Sequence, residues 1–374
     1  MITIKKALEL IDKNYKYKRI VKINAMDSLG FVLAENVYSK EDYPKFTNSA
    51  MDGYCIRYSD YNKFKHFKIK SRIYAGDGAN IKLKRGECAY ITTGAKIPKD
   101  SNCIVPIEDV EKKGNIISIK NKNLKIFENI RFRGEDIKKG SIILRKNTLI
   151  EPYHISLFSV CGIKDIYVYD KPNVSIIITG KELIKNSKNY INESNLVFLR
   201  NAFKKEGIKI VSEKIIDDKN GELYKILKTS KMPDIYITTG GVSVGEKDYV
   251  KEDLEKFGVK KLFWKVKQKP GKPLYVGIKD KTLFFALPGN PLAVILIFYV
   301  YILPVIYKFQ NKVYDKKRYY NFNINSEDDR VLILASKYEN GRVEIFKNQL
   351  SHKLSFLANT NSISIPKMKE LILL

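Results

Sequence analysis

The stretch Ile235–Tyr249, with the sequence IYITTGGVSVGEKDY, is the clearest indication of the fold of this chain. A β-branched, apolar run typical of a buried strand ends in the glycine pair Gly240 and Gly241. Glycine lets the backbone approach a ligand closely, and a helix after such a loop points its first N–H groups at an anion. The acidic Glu246 and Asp248 follow shortly after, where a divalent cation would allow them to lie beside a phosphate. The stretch therefore predicts a parallel sheet that binds a phosphate and a hard metal ion.

Strands and helices alternate on both sides of this stretch. The runs at 174–179, 208–216 and 283–287 are predicted strands, and helices are predicted from about 192–194 to 205, at 221–229, at 250–257 and at 292–307. An alternating order of this kind is typical of a doubly wound α/β domain with a mostly parallel sheet. We place this domain at residues 169–314.

The other segments are predicted to contain β-structure together with two helices, at 4–13 and near 152–161. Residues 41–125 consist of short alternating runs separated by glycine turns, which indicates an inserted all-β domain. Residues 1–40 and 126–168 are assigned to an N-terminal linker or dimerisation domain, and residues 315–374 to a short C-terminal β domain. In the last of these, Glu339-Asn340-Gly341 is predicted to form the turn of a hairpin. The predicted fold class is therefore α/β plus β in a multidomain chain.

Length and composition indicate a soluble, multidomain protein. The chain has 374 residues, of which 44% are hydrophobic and 29% charged, and a formal net charge of +27. The lysines are spread along the whole chain and no nucleic-acid-binding motif accompanies them, so we interpret the charge as solvated lysines and expect no specific nucleic-acid partner. The four scattered cysteines are interpreted as reduced thiols of a cytoplasmic protein.

The apolar run LAVILIFYVYILPVIY at 292–307 tests the soluble interpretation. Its length of about 16 residues is below the roughly 20 that span a bilayer. It contains Pro304 and directly follows the tight loop at 287–291. We therefore predict a buried helix packed under the sheet and no membrane association.

Three loops are predicted to meet at one edge of the parallel sheet. They lie at 179–182, 239–248 and 287–291, each after a predicted strand. Because parallel strands bind ligands at their carboxyl ends, the three loops are expected to form one site. The rigid turn Lys269–Pro273, KPGKP, presents two cations suited to an oxyanion. The β insert adds two polar turns, at 48–54 and 92–98.

Taken together, these motifs resemble one family, the molybdopterin molybdenumtransferases (MoeA), which include the gephyrin E domain. The matching elements, in chain order, are NSAMDGY (48–54), ITTGAKIP (91–98), IRFRGEDIKKG (130–140), ITGKEL (178–183), INESN (191–195), TTGGVSVGEKDY (238–249), FWKVKQKPGKP (263–273) and ALPGNP (286–291). They span nearly the whole chain. Lys181 departs from the family, which usually has an aspartate there, and removes one carboxylate from the rim of the site.

The resemblance implies a transferase that performs the last step of molybdenum cofactor biosynthesis. Adenylylated molybdopterin, supplied by molybdopterin adenylyltransferase, reacts with molybdate in the presence of Mg²⁺ or a similar divalent cation. AMP leaves, and molybdenum ends on the dithiolene sulfurs. The family also implies an elongated homodimer, whose site lies between the α/β domain of one subunit and the β insert of the other. The α/β domain would then be a molybdopterin-binding domain.

The residues that the resemblance assigns fall into three groups. The catalytic group is Asp52, Thr93, Asp136, Glu182, Asp217 and Asp248. The substrate-binding group is Gly240, Gly241, Ser243, Lys269, Lys272, Pro288, Asn290 and Pro291. The metal ligands are expected among Glu182, Asp217 and Asp248, because cleaving a phosphoanhydride-type bond requires a hard cation held by carboxylates.

Each assignment has a purely structural alternative. Asp136 can pair with Arg131 or Arg133, and Asp217 can be the N-cap of the following helix. In so basic a chain, Lys269 and Lys272 can also be solvated charges.

Three other functions stay open on the residues alone. Molybdopterin adenylyltransferase shares the T-G-G loop, but its α/β fold stands alone, so the β insert favours the molybdenumtransferase. A non-enzymatic scaffold, known among relatives of gephyrin, is disfavoured by the intact set of acids. A nucleic-acid binder is suggested by the charge of +27 alone.

Overall fold

The structure, a computed structural model, describes residues 1–78, 80–120, 123–183, 192–242, 249–322, 329–350 and 353–374. The chain forms two compact units: Lys22–Tyr167, which we call the β unit, and Met1–Val21 with Val168–Leu374, which we call the α/β unit. The four-part division made from the sequence stays a prediction. In the two-unit division the first helix of the chain belongs to the α/β unit, because its apolar face is part of that unit's core.

The α/β unit is built on a six-stranded mixed sheet. Its strands are β1 (Asn173–Thr179), β2 (Lys209–Ile216), β3 (Ile235–Thr239), β4 (Lys260–Trp264), β5 (Tyr275–Lys279) and β6 (Thr282–Leu287). Their order in the sheet is β2-β1-β3-β6-β5-β4. The first four are mutually parallel, β5 pairs antiparallel with β6, and β4 pairs antiparallel with β5. The predicted α/β-plus-β fold class is confirmed.

Helices cover both faces of this sheet. They are α1 (Ile4–Asn14), α2 (Asn195–Lys205), α3 (Glu222–Thr229), α4 (Val250–Lys256) and α5 (Pro291–Phe309). Successive residues of a strand point to opposite faces, and both faces of β1 are apolar: Ile176 and Ile178 pack in the core with α1, α2 and α5, while Ile177 packs in the core with α3 and α4. A strand buried on both faces explains the unbroken apolar runs in the sequence.

Helix α5 is the long apolar helix that the sequence predicts. It consists of two α-helical segments, Pro291–Ile297 and Leu303–Phe309, joined by a π-helical segment, Phe298–Ile302. Within the described part of the chain it is the one helix whose length and composition would allow it to cross a membrane. Most of its residues are nevertheless buried in the α/β core, which is the position of a core helix.

A second, five-stranded sheet completes the α/β unit. It contains Lys317–Arg318, Leu334–Glu339, Arg342–Ile345, Ser362–Ile365 and Glu370–Leu373. Between the second and third of these strands, Asn340 and Gly341 have φ of 50° and 79°, so the predicted hairpin is confirmed. A short parallel pair, Gln268–Lys269 with Val331–Leu332, ties the turn after β4 to this region.

The β unit contains its own six-stranded sheet. In spatial order its strands are Cys103–Pro106, Gly53–Ile56, Glu87–Ile91, Phe67–Ile73, Ile116–Ile119 and Val110–Lys113. The described part of the region 41–125 is therefore mainly β-structure, with two helical turns, Tyr58–Tyr61 and Ile107–Asp109, that the sequence interpretation did not include. The rest of the unit consists of the helix Pro152–Val160 and the short strands Val32–Leu33, Val37–Tyr38, Asn48–Ser49, Ile130–Arg131 and Ile142–Leu144; Ile20–Asn24 and Asp165–Tyr169 cross its two boundaries.

Candidate active site

The four parallel strands of the α/β sheet end at the same level. Thr179 of β1 lies opposite Ile216 of β2, and Thr239 of β3 lies opposite Leu287 of β6. The chain order of the strands reverses between β1 and β3, and ligands bind in α/β sheets at such a switch point. The loops after these strands therefore form one candidate site.

Backbone and hydroxyl hydrogen bonds hold these loops together. The Gly180 N–H donates to the Ile216 carbonyl at 3.1 Å, and the Gly240 N–H donates to the Leu287 carbonyl at 3.0 Å. The Thr179 hydroxyl donates to the Thr239 carbonyl at 3.1 Å. The loops at 179–182, 239–242 and 287–291 thus meet, as the sequence predicts.

The glycine pair is required by close packing. Gly240 has φ of 88°, and a Cβ there would lie 2.5 Å from Thr179 Oγ1 and 2.6 Å from the Thr179 carbonyl oxygen. A Cβ at Gly241, with φ of 58°, would lie 2.8 Å from Val250 Cγ2. Because the Gly240 amide already bonds to Leu287, a phosphate would have to replace that bond to reach it. The phosphate contacts of both glycines stay predictions.

Part of the same loop is outside the described residues. Ser243 and Asp248, predicted to bind phosphate and metal, lie there, as does Glu246. Their roles stay predictions from the sequence.

Asn195 is a site residue that the sequence interpretation missed. It is the first residue of α2, and its Nδ2 donates to the Gly289 carbonyl at 2.9 Å. Its Oδ1 is buried and has no hydrogen-bond partner among the described residues. The Glu193 carboxylate caps the helix by accepting the Asn195 and Leu196 N–H groups, each at 2.7 Å. The INESN motif was the available signal, but it was used for family resemblance and not for a role.

The loop before α5 forms the N-terminal cap of that helix. Asn290 is the N-cap of α5, because its Oδ1 accepts the Ala293 N–H at 3.2 Å, and Pro291 occupies the first helical position. Pro288 is half-buried in the loop. The substrate contacts predicted for these residues remain predictions.

Two acids emerge at this edge of the sheet. The Asp217 carboxylate pairs with Lys219 Nζ at 2.8 Å, and this pairing lowers the pKa of Asp217 and raises the pKa of Lys219. The N-cap of α3 is Gly221, so the alternative that Asp217 caps this helix is wrong. The Glu182 carboxylate lies close over the backbone, since a Cβ at Gly180 would be 2.8 Å from Glu182 Oε1.

Two of the three predicted metal ligands, Glu182 and Asp217, lie in the described part of the chain and suit a divalent cation. No group of three or more His, Cys, Asp or Glu side chains that could hold a metal occurs in the part of the chain that the structure describes. Asp217 and Glu182 supply hard oxygen donors at adjacent strand ends, and Mg²⁺ commonly keeps several waters and takes one or two carboxylates. The two acids are therefore chemically suited to Mg²⁺, and the third predicted ligand, Asp248, lies outside the described residues.

Helix α5 supports the KPGKP turn through hydrogen bonds to the buried Gln268. Lys269 and Lys272 are exposed on the turn. The buried Gln268 donates through Nε2 to the Gly271 carbonyl at 3.0 Å and accepts a hydrogen bond from the Tyr301 hydroxyl. The helix that begins at the Asn290 cap therefore also supports the turn that carries both lysines.

In the β unit, Asp52 and Thr93 contact each other directly. Thr93 donates to Asp52 Oδ1 through its N–H at 2.7 Å and its hydroxyl at 2.8 Å. These bonds lower the pKa of Asp52 and keep its exposed carboxylate ionised. The contact arises because Gly53 pairs with Ile91 on neighbouring antiparallel strands, which brings the two turns side by side.

Asp136 lies exposed in the β unit, and its N–H donates to the Tyr43 carbonyl at 3.2 Å. The pairing of Asp136 with Arg133, one of the structural alternatives, is replaced by another: Arg133 Nε donates to Asp42 Oδ2 at 2.6 Å. The catalytic role of Asp136 stays a prediction.

Comparison with known proteins agrees with this arrangement. The family described as MoeA N-terminal region (domain I and II) matches residues 2–162, and the family described as probable molybdopterin binding domain matches residues 175–308. The molybdopterin molybdenumtransferase of Haemophilus influenzae is 31% identical over 300 residues, which cover 79% of this chain and 74% of that protein. That of Staphylococcus epidermidis is 32% identical over 318 residues, covering 82% and 75%.

A solved structure shows the same fold. The crystal structure of the molybdopterin biosynthesis moeA protein of Pyrococcus horikoshii OT3 matches with a TM-score of 0.74 at 27% identity, over 97% of this chain and 94% of that one. The chain therefore belongs to the molybdopterin molybdenumtransferase (MoeA) family, whose members are transferases of molybdenum cofactor biosynthesis.

Proposed function

We propose that this protein transfers molybdenum from molybdate to adenylylated molybdopterin with release of AMP. The observation that carries the proposal is the set of level strand ends of β1, β2, β3 and β6, where loops with the family's motifs meet at the switch point of the sheet. This edge places two acids, Glu182 and Asp217, at adjacent strand ends, as a divalent-cation site beside a phosphate requires.

In this proposal the acidic residues bind the divalent cation and the lysines bind the oxyanions. Asp217 is held ionised by Lys219 and, with Glu182 and Asp248, would hold the divalent cation, Mg²⁺. When bound, that cation would neutralise charge on the phosphates of the substrate. Lys269 and Lys272 would bind molybdate or phosphate as point charges on a braced turn, and such bracing lowers the entropy lost on binding.

The protein is further proposed to act as a cytoplasmic homodimer. In this arrangement the α/β loops of one subunit are completed by Asp52 and Thr93 of the partner subunit. The Thr93–Asp52 hydrogen bonds support this role because they present an ionised, fixed carboxylate on an exposed turn. The enzyme that supplies the substrate is one that adenylylates molybdopterin.

The proposal is tested by measuring AMP release from adenylylated molybdopterin in the presence of molybdate and Mg²⁺. We expect AMP release together with molybdenum incorporation, and loss of both in Asp217→Asn. The matched control is Asp280→Asn, in the exposed turn between β5 and β6 at the opposite end of β6. Absence of AMP release with every divalent cation tried, or formation of adenylylated product from ATP, would refute the proposal.

A further inference from the structure

The β unit contains a cavity that none of the candidate active-site residues lines. Its volume is about 410 Å³, within the range of roughly 300–1,000 Å³ typical of small-molecule sites. Its walls combine tyrosine rings with basic side chains, and no carboxylate lines it among the described residues. This composition suits a ligand that is both aromatic and anionic.

The aromatic wall is produced by the register of the β-unit sheet. Tyr54 pairs with Tyr90 across neighbouring antiparallel strands, and their ring centroids are 5.6 Å apart in an edge-to-face arrangement. Tyr74, which follows the strand Phe67–Ile73, lies 6.3 Å from Tyr90 in the same manner. Tyr74 is 47% exposed and Tyr54 is buried, so the wall runs from the interior to the cavity mouth.

The basic side chains face this wall from two directions. Arg72 pairs with Tyr90 in the sheet, and its guanidinium carbon lies 6.0 Å from the Tyr90 ring centroid. Lys112 comes from the hairpin formed by Val110–Lys113 and Ile116–Ile119, with Gly114 and Asn115 at its tip. Neither cation forms an ion pair with any residue that the structure describes, whereas the nearby Glu87 is paired with Lys70 at 3.2 Å.

Two unpaired cations beside stacking surfaces are a recognition set for a phosphorylated heterocycle. Guanidinium and ammonium groups bind phosphate oxygens, and aromatic rings stack on bases. Burial raises the pKa of Tyr54, so its hydroxyl stays neutral beside the ligand. A free phosphate would not use the tyrosines, and a confined cavity suits one nucleotide better than an extended strand.

We propose that this cavity binds a small phosphorylated aromatic molecule of the nucleoside monophosphate class. The heterocycle lies against Tyr74 and Tyr90, and the phosphate contacts Arg72 and Lys112. The site is independent of the proposed function, because none of these residues belongs to the transferase site.

The probe is AMP, titrated calorimetrically into the full-length protein; because AMP is also the product of the proposed transferase, binding at the cavity is the part of the AMP signal that a change of cavity residues weakens. Lys112→Ala is expected to weaken AMP binding by about tenfold, through loss of a charged hydrogen bond. The matched control is Lys113→Ala, the next residue of the same strand, which points away from the cavity and should leave binding unchanged. Equal effects of the two substitutions, or none from either, would overturn the proposal.

The aromatic wall is tested in the same way. Tyr74→Leu is expected to weaken AMP binding by about tenfold, while Tyr153→Leu, at an exposed tyrosine outside the cavity, has no effect. AMP release from adenylylated molybdopterin stays at the wild-type rate in Tyr74→Leu and Lys112→Ala. Failure of the transferase assay therefore does not count against the cavity, and failure of AMP binding does not count against the transferase.

Ligand fragments decide what the cavity recognises. Adenosine and ribose 5-phosphate, which each lack half of the chemistry, are expected to bind at least about tenfold more weakly than AMP. Equal binding of AMP, ribose 5-phosphate and inorganic phosphate would show a non-specific anion site and reject the proposal. Tighter binding of an oligoadenylate, with a steep dependence on salt, would reject it in favour of a nucleic-acid surface.

Discussion

Gly240 shows how a single residue sets the geometry of the candidate site. Its missing side chain lets the loop after β3 lie directly against the Thr179 backbone, and its amide completes the link to Leu287. The sequence indicated that the glycine pair allows close approach of a ligand. The structure adds that the Gly240 backbone packs closely against the protein's own backbone at Thr179.

Gly240→Ala is expected to destabilise the protein by about 4 kcal/mol or more, because its Cβ would overlap backbone atoms that cannot move freely. The control is Gly221→Ala: Gly221 also has positive φ, 77°, but open space around its Cβ. There we expect about 1–2 kcal/mol, the cost of the left-handed conformation alone. Urea unfolding of both variants measures the difference, and similar losses would contradict the packing argument.

Asn195 is a positioning residue for the loop before α5. Asn195→Ala removes the donor to the Gly289 carbonyl, so we expect a loss of about 1–3 kcal/mol in unfolding free energy and a fall in AMP release of about tenfold or more as the loop shifts. Asn201→Ala, on the exposed face of the same helix, should change stability by less than about 0.5 kcal/mol. Full activity of Asn195→Ala would show that the Gly289 contact has no part in positioning.

The backbone N–H of Thr93 and, after it, the Thr93 hydroxyl lower the pKa of Asp52. Because hydrogen bonds from Thr93 lower the pKa of Asp52, Thr93→Val should raise it, while the backbone N–H bond keeps part of the effect. A ¹³C NMR titration of the Asp52 carboxyl carbon measures this. Thr92→Val is the control, since the Thr92 hydroxyl oxygen accepts from Ala75 and does not contact Asp52.

The Thr93–Asp52 hydrogen bonds also predict how the free energy of unfolding changes at acid pH. A carboxyl whose folded-state pKa lies below its unfolded value contributes stability above the ordinary aspartate pKa, about 4. This contribution disappears as the pH falls through the lowered folded-state pKa of Asp52. Thr93→Val should therefore lose less stability on acidification than the wild-type protein, and an unchanged pH dependence would argue against the assigned cause.

Among the elements, helix α5 connects two loops that the sequence predicts to bind substrate, the loop at 287–291 and the KPGKP turn. Its N-cap is Asn290 in the loop at the strand ends, and its π-helical segment carries Tyr301, which bonds to Gln268 under the KPGKP turn. π-Helical segments often occur at functional sites, because the extra residue redirects a side chain. Here the π-helical segment contains Tyr301, which holds the turn through Gln268.

Tyr301→Phe is expected to cost about 1–3 kcal/mol in unfolding free energy, because it leaves the buried Gln268 carbonyl oxygen without its donor. Tyr275→Phe is the matched control. The Tyr275 hydroxyl is buried without a hydrogen-bond partner among the described residues, so its removal should be neutral or stabilising. A lower melting temperature for Tyr275→Phe than for Tyr301→Phe would disprove this account.

Element boundaries were largely predictable because they depend on local patterns. The four parallel strands and helices α2 to α5 begin and end within a few residues of the predicted positions, since β-branched runs and helical periodicity are local signals, whereas β4 and β5 were not predicted. The π-helical segment in α5, the helical turn at Tyr58–Tyr61 and the cap of α2 by Glu193 were missed. Each of these depends on how a segment packs against its surroundings, which a sequence window does not contain.

At the scale of the whole molecule, the proposed shared site can be tested by complementation. Asp52→Ala and Asp217→Ala should each be inactive alone, because each removes one half of every site. When the two are co-expressed, random assortment into dimers should restore up to about a quarter of wild-type AMP release, since each mixed dimer has one intact site. If the site were formed within one chain, mixing would restore nothing.

The family, the α/β-plus-β fold class and the order of the loops at the sheet edge could be predicted from the sequence, because periodicity, glycines and motif spacing are local properties of the chain. The tertiary structure alone decided which atoms meet there. It showed that the Gly240 amide is used by Leu287 and that Asn195 holds Gly289, 94 residues away. Such contacts depend on how distant segments pack, and a one-dimensional pattern carries no distance between them.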